Sequence, residues 1–162
     1  IGWIDAKYKE FFVSIPGRGP VDTAEFVRIQ NTPEWTASAT LAYGAPLGDG
    51  SLDLGTSVSY RSKTIQFEVP NLFYDQLAYA LLDASIIYSA PNDRWSIGLY
   101  GKNLTDQRYK TAGYNFIRTD PVTGALQYNA QGRPISGLGR EGTLTAFYGN
   151  PRQLFVSATF KY

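Results

Sequence analysis

Apolar and polar side chains alternate with a period of two along several segments of about ten residues, a spacing typical of β-strands and not of helices. Six segments show this pattern, and we expect each to form a strand. Their apolar members are Ile4, Ala6 and Tyr8; Trp35, Ala37, Ala39, Leu41 and Tyr43; Leu52, Leu54, Thr56, Val58 and Tyr60; Leu82, Ala84, Ile86 and Tyr88; Trp95, Ile97 and Leu99; and Leu154, Val156, Ala158, Phe160 and Tyr162. The sequence therefore predicts an all-β chain of about six strands.

The fourth segment is open to a second interpretation. Residues 76–84 have fair helix propensity, and Leu77, Leu81 and Leu82 would suit one face of a helical turn. Residues 86–88 continue the segment with β-forming side chains. We therefore predict a strand there, while leaving open whether residues 77–84 are strand throughout.

The nine prolines support this division of the chain, because a proline inside a strand removes a hydrogen bond of the ladder. Each is expected between strands or at the first residue of one. They are Pro16, Pro20, Pro33, Pro46, Pro70, Pro91, Pro121, Pro134 and Pro151.

Short and long connections alternate between the predicted strands. The second connection is only residues 46–50, whose Asp-Gly pair is a hairpin signal, and the fourth is residues 91–94. The other three run over residues 13–32, 64–76 and 110–150. In an antiparallel sheet this order gathers the short turns at one end and the long loops at the other, as in outer-membrane barrels.

Composition excludes several kinds of chemistry. The chain has no Cys and no His, so thiolate metal sites and the commonest general base are missing. No catalytic set or metal-ligand spacing can be assembled, so we expect neither enzyme activity nor a cofactor. The net charge of +1, with both signs interspersed, gives no indication of nucleic-acid binding.

Two short motifs are better explained without a function. Residues 137–142 spell G-x-G-x-x-G, but neither flank is a buried strand or a helix, so a flexible loop explains them. Residues 103–105 form a glycosylation sequon that we expect to be unused.

The position of the aromatic residues distinguishes a membrane barrel from a soluble sandwich. Trp35 and Tyr43 stand at opposite ends of one apolar stripe, with Ala and Leu between them. Eight tilted residues rise about 19 Å, which suits rings at the two edges of an apolar band about 25 Å tall. Six strands cannot close such a barrel, whose smallest form has about eight. The lack of Met likewise predicts that the chain belongs to a longer protein.

Three motifs resemble a known family. Residues 101–109 (GKNLTDQRY) are similar to the "KNLTDxxY" segment of TonB-dependent outer-membrane receptors, residues 149–152 (GNPR) to their closing "GxPR" motif, and residues 31–35 (NTPEW) to their "NTPxW" segment. The motifs occur in family order across nearly the whole chain. One departure is that the C-terminal assembly signal, Phe160 with Tyr162, more often ends in Phe.

The resemblance implies that residues 1–162 are the last six strands of a plugged barrel of about 22 strands, without the N-terminal plug and earlier strands. It implies active uptake of a scarce nutrient, such as a ferric siderophore, cobalamin or a saccharide, in the outer membrane of a Gram-negative bacterium. The C-terminus would then be periplasmic and the long loops extracellular. The implied partners are outer-membrane lipid, the plug and remaining strands, the TonB complex through the N-terminal region, and the outer-membrane assembly machinery.

The loop of residues 110–150 is the strongest candidate for ligand contact, because loops of this length usually have a function or are disordered. Residues 120–124 read as a turn, so part of the loop is expected to form a hairpin. Its candidate contact residues are Tyr114, Asn115, Phe116, Arg118, Tyr128 and Arg140.

Charged residues on the polar faces of the strands would border the interior of the barrel. We interpret them mainly as solvation of a water-filled lumen, with contact to the plug or to a polar solute as the alternative. They are Asp5, Lys7, Lys9, Asp53, Arg61, Asp83 and Lys102. Two other functions stay open at this point: a diffusive outer-membrane porin, and a soluble β-sandwich that binds carbohydrate.

Overall fold

The computed structural model describes residues 1–67, 74–118, 120, 126–138 and 144–161. It is all-β, as the alternation predicts. The strands are β1 (Gly2–Trp3), β2 (Phe12–Ile15), β3 (Gly19–Asp22), β4 (Trp35–Leu47), β5 (Gly50–Arg61), β6 (Tyr79–Ser89), β7 (Trp95–Lys102), β8 (Lys110–Asn115), β9 (Leu144–Tyr148) and β10 (Gln153–Phe160).

Six of these strands form one antiparallel sheet in the order β1-β4-β5-β6-β7-β10. β2 pairs with β3 and β8 pairs with β9 as two separate hairpins. Apart from these hairpins, which lie inside long connections, strands that follow one another in the chain are neighbours in the sheet. The short turns therefore lie at one end of the sheet and the three long loops at the opposite end.

The register places the apolar stripes side by side. Directly paired residues of antiparallel strands point to the same face. One row across the sheet is Tyr43, Leu54, Ile86, Leu99 and Val156. The neighbouring rows on this face continue the pattern, with Val58 opposite both Ala39 and Leu82. The sheet thus has one continuous apolar face, and the other face carries Ser, Thr, Gly and charged residues.

The first predicted strand is wrong in its position. Only Gly2 and Trp3 are strand, paired with Thr36 and Trp35, and the amide of Ile4 adds one bond of 2.9 Å to the carbonyl of Glu34. Ile4, Ala6 and Tyr8 do alternate with charged residues, but this segment lies beyond the start of β4 and pairs with no strand in the part of the chain that the structure describes.

The turn between β4 and β5 differs by one residue from the expected Asp-Gly centre. Gly48 and Asp49 form the turn, and Leu47 pairs with Gly50. Gly48 has φ +61°, the left-handed region that a first central residue needs in a two-residue type II′ turn and that glycine adopts without a steric penalty.

Two prolines lie inside strands, contrary to the expectation from the sequence. Pro46 is the penultimate residue of β4, and Pro20 is the second residue of β3. A two-residue turn makes Leu47 and Gly50 a hydrogen-bonded pair, so the Pro46 nitrogen points away from β5. β1 pairs only as far as Thr36, so no hydrogen bond of the sheet is lost at Pro46.

The segment that could have been helical is strand from its third residue. β6 begins at Tyr79, and Leu77 and Ala78 precede it as irregular chain.

In contrast to the side chains of a packed domain, most large apolar side chains of the sheet are exposed. Within the described ranges, no helix has both the length and the hydropathy needed to cross a bilayer.

Candidate binding surface at the long-loop end

The two motifs that follow β7 and precede β10 are joined by the side chain of Asn103. Its Nδ2 donates to the carbonyls of Gln107 and Asn150, both at 3.0 Å, and its Oδ1 accepts the amide of Gln107 at 2.9 Å. The Asn103 amide donates to Asp83 Oδ1 at 2.8 Å, which ties the turn to β6. Asn103 is 5% exposed and has φ +48°, a conformation that Asn tolerates better than most residues.

Two further contacts hold the same junction. The Arg152 amide donates to Asp106 Oδ1 at 3.0 Å. The Tyr109 ring covers Gly149, where an added Cβ would overlap it, and stacks on Tyr79 with ring centroids 4.6 Å apart and planes at 15°. The residues conspicuous in these two motifs therefore fix the ends of β7 and β10 and the start of the long loop between them.

The motif of residues 31–35 similarly joins the start of β4 to the chain that follows β5. The Trp35 amide donates to the Ser62 hydroxyl, and the Ser62 amide donates to the Trp35 carbonyl, both at 2.9 Å. Asn31, at φ +50°, donates its amide to the Ile65 carbonyl at 2.9 Å. The Trp3 and Trp35 rings meet at 6.2 Å.

A buried cluster joins the second and third long loops. Tyr74, 1% exposed, donates its hydroxyl to the Tyr114 carbonyl and lies against Gly113, where an added Cβ would meet the ring. The Lys110 amide donates to Gln76 Oε1 at 2.6 Å. Burial raises the pKa of the Tyr74 phenol above its ordinary value. Tyr74 was not singled out by the sequence, because it lies in no alternating segment.

Three aromatic residues share the other face of the β8–β9 hairpin. The rings of Tyr114 and Phe116 stack at 6.0 Å, and Phe147 meets Tyr114 edge-on at 5.9 Å. Tyr114 and Phe147 are both about half exposed. The structure thus brings together two of the predicted contact residues and adds Phe147, which the sequence analysis missed although it lies in a short run of β-forming residues.

The other predicted contact residues are not gathered at this point. Arg118 is exposed, and its carbonyl accepts the amide of Gln127 at 2.8 Å. Tyr128 is exposed and bridges to Pro134. The backbone of Asn115 ends β8, whereas Arg140 lies outside the described residues, as does most of the turn predicted at residues 120–124. β8 and β9 do pair as a hairpin within this loop, but residues 116–143 separate them, so this is not the hairpin expected from a turn at residues 120–124.

The predicted assembly signal is described at one of its two positions. Phe160 ends β10 on the apolar face, where it pairs with Trp95 and is 67% exposed. Tyr162 lies outside the described residues.

Of the predicted lumen-facing charges, four lie on the polar face of the sheet: Asp53, Arg61, Asp83 and Lys102. The other three, Asp5, Lys7 and Lys9, lie in the first long loop as irregular chain, where Lys7 and Asp5 form an exposed ion pair of 3.2 Å. A recess of about 230 Å³ on the sheet is lined by Thr40, Ser57, Asp83, Tyr100 and Lys102 among others.

The first long loop has its own anchor at Asp22. Its Oδ1 accepts the amides of Phe11 at 3.0 Å and Ala24 at 2.9 Å, and these bonds lower the pKa of the carboxyl. Among the described residues, no group of three or more His, Cys, Asp and Glu side chains is placed to hold a metal ion.

No family model matches the chain, and no solved structure matches it.

Proposed function

We propose that the chain is the C-terminal part of the barrel of a TonB-dependent outer-membrane receptor, with its apolar face against lipid and its long loops outside the cell. The observation that carries this proposal is the exposed apolar face. Leu41, Leu154 and Val156 are each about 70% exposed, and Ile86 is 53% exposed. A soluble protein would leave such a continuous surface uncovered only at the cost of aggregation.

The aromatic residues at the two edges of this face support a lipid environment. Trp3, Trp35 and Tyr60 lie towards the long-loop end, and Trp95 and Phe160 lie at the short-turn end. Aliphatic and small residues fill most of the rows between them; Tyr88 is an exception, and so is Tyr43, which the sequence placed at an edge but which pairs with Leu54 inside the face. Outer-membrane barrels have this arrangement because amphipathic rings favour the two membrane–water interfaces.

The open edges of the sheet support a larger barrel. β1 and β10 each have one strand neighbour, so each carries a row of backbone groups that no strand of the described residues pairs. Lipid does not tolerate such an edge. Further strands, on both sides of this sheet, satisfy these groups when the barrel closes.

The motif contacts support the family assignment. The three segments with family resemblance lie at the long-loop end, and two of them bind each other through Asn103 and Asn150. The function proposed for the whole protein is TonB-powered uptake of a scarce nutrient. This part supplies barrel wall and external loops, and the aromatic face of Tyr114, Phe116 and Phe147 is the proposed ligand contact.

Detergent dependence tests the proposal. Residues 1–162 expressed alone should aggregate in aqueous buffer, and the intact protein should partition with the outer membrane and stay monodisperse only in detergent. A sharp monomer of residues 1–162 without detergent would reject the membrane assignment and favour a soluble sandwich. In planar bilayers the intact protein should conduct little, as a plugged receptor does, whereas steady large conductance would indicate a porin.

A further inference from the structure

Five of the buried residues come from one loop. Thr64, Gln66, Tyr74, Asp75 and Gln76 are each between 1% and 7% exposed. Four of them are polar. Buried polar groups are stable only when their hydrogen bonds are made, so the partners of these residues determine what this loop requires to stay folded.

Some partners of these buried residues lie in the same loop. Thr64 and Gln76 exchange two backbone hydrogen bonds of 2.9 Å each. Lys63 forms an ion pair of 3.1 Å with the carboxylate of Asp75, and the Phe67 ring meets the Tyr74 ring edge-on at 5.2 Å. These contacts close residues 63–76 into a loop whose two ends are bound to each other.

The remaining partners lie in the next long loop. Gln76 Oε1 accepts the amide of Lys110 at 2.6 Å, the Asp75 carbonyl accepts Lys110 Nζ at 3.1 Å, and Tyr74 donates to the Tyr114 carbonyl. Each of the three consecutive residues Tyr74, Asp75 and Gln76 therefore contacts residues of both loops.

From this arrangement we infer that residues 74–76 couple the two long loops, 62–78 and 103–152, so that they fold and open together. Separating them would expose several buried polar groups and the Tyr74 ring at once, and groups that lose their partners together open cooperatively. The coupling also reaches the aromatic face, because Tyr74 donates to the carbonyl of Tyr114 from the opposite side of the β8–β9 hairpin. It goes beyond the proposed uptake function and depends on neither lipid nor solute.

Hydrogen–deuterium exchange of the intact protein in detergent tests the coupling when the third long loop is substituted and exchange is measured in the second. In Gly113→Ala the new methyl group meets the Tyr74 ring and the Thr145 carbonyl. We expect amides of residues 62–67, in the other loop, to exchange about tenfold faster, the effect of one lost hydrogen bond of average strength.

The reciprocal variant tests it from the second loop. Tyr74→Phe keeps the ring and removes only the hydroxyl that binds the Tyr114 carbonyl, so amides of β8 and β9 should exchange faster by a similar factor. Tyr128→Phe is the matched control, because this exposed tyrosine lies in the loop that contains β8 and β9 and its substitution should change exchange in neither region.

Faster exchange confined to the substituted loop in both variants would overturn the inference. If Gly113→Ala also loses protection in β4–β7, the variant is misfolded and Tyr74→Phe alone decides the result. Failure of the coupling is distinguishable from failure of the proposed function, because detergent dependence does not change with either variant.

Discussion

The side-chain amide of Asn103 donates a hydrogen bond of 3.0 Å to the backbone carbonyl of Asn150, 47 residues further along the chain. The bond spans the longest loop at its base and joins the end of β7 to the approach to β10. It is also the point where two conspicuous sequence motifs meet. Their residue types are therefore explained by geometry: an Asn at positive φ, a Gly under a tyrosine ring, and an Asp that accepts a backbone amide.

Removing the Asn103 side chain should destabilise the sheet. Asn103→Gly keeps the positive φ accessible but removes the three hydrogen bonds of the side chain. The carbonyls of Gln107 and Asn150 then lose their Asn103 donor. We expect the free energy of unfolding in detergent to fall by about 2–3 kcal/mol. Asn150→Ala retains the backbone carbonyl and should change the free energy of unfolding by less than about 0.5 kcal/mol. Equal effects of the two substitutions in urea unfolding would contradict the assigned role.

Substitution of Gly149 tests the other half of the junction. In Gly149→Ala the methyl group overlaps the Tyr109 ring, which must leave its stack on Tyr79. Overpacking of this kind costs about 1–3 kcal/mol. Gly44→Ala is the control, because its new Cβ meets only the end of the Asp53 side chain at 3.0 Å. A neutral Gly149→Ala in urea unfolding would show that the stack is dispensable.

The two faces of the sheet should respond differently to charge. If the apolar face meets lipid as proposed, Val58→Arg and Ala39→Arg place a cation in hydrocarbon and should cost about 2–4 kcal/mol near the midplane. Ser57→Arg lies on the polar face opposite Asp83 and should be mild. The free energy of unfolding of the intact protein in lipid measures both. Tolerance of the first two with failure of the third would mean that the faces are exchanged.

The sequence predicted the main sheet well, because the period of two fixes both strand identity and face. Every apolar residue of the second to sixth predicted stripes that the structure describes lies on the expected face. The first strand was misplaced, since Ile4–Lys9 alternates equally well but lies where β4 offers no partner. Pro46 was misjudged because its tolerance depends on which strand its nitrogen points towards, a property of the pairing and not of local sequence.

The candidate site was less predictable than the sheet. Tyr114 and Phe116 were named from composition and loop length, and the structure places them in one aromatic cluster. Phe147 joins this cluster only through the long-range pairing of β8 with β9, and Tyr74 supports the backbone of Tyr114 only through contact between two loops. No local periodicity marks such contacts.

Titration of Tyr74 tests the buried cluster. Its raised pKa means that the folded state holds the phenol proton more tightly than the unfolded state does. The contribution of this phenol to stability should be fully present and independent of pH below its ordinary pKa of 10.0, and should be lost as pH rises from there through the folded value. In a pH titration followed by the ultraviolet absorbance of phenolate, the natural protein should show one tyrosine that ionises late, and Tyr74→Phe should lack this step. Its absence would place Tyr74 in water.

Spin labels on the two faces test the central claim most directly. Residues 1–162 contain no Cys, so Val58→Cys and Ser57→Cys each add one labelling site to this part of the protein, on adjacent residues of β5 that face opposite sides, and any Cys elsewhere in the intact protein is replaced first. In the intact protein reconstituted in bilayers, the label at position 58 should collide mainly with dissolved oxygen. The label at position 57 should collide mainly with a water-soluble nickel chelate. The reverse result, or nickel access at both positions, would contradict an apolar face turned to lipid.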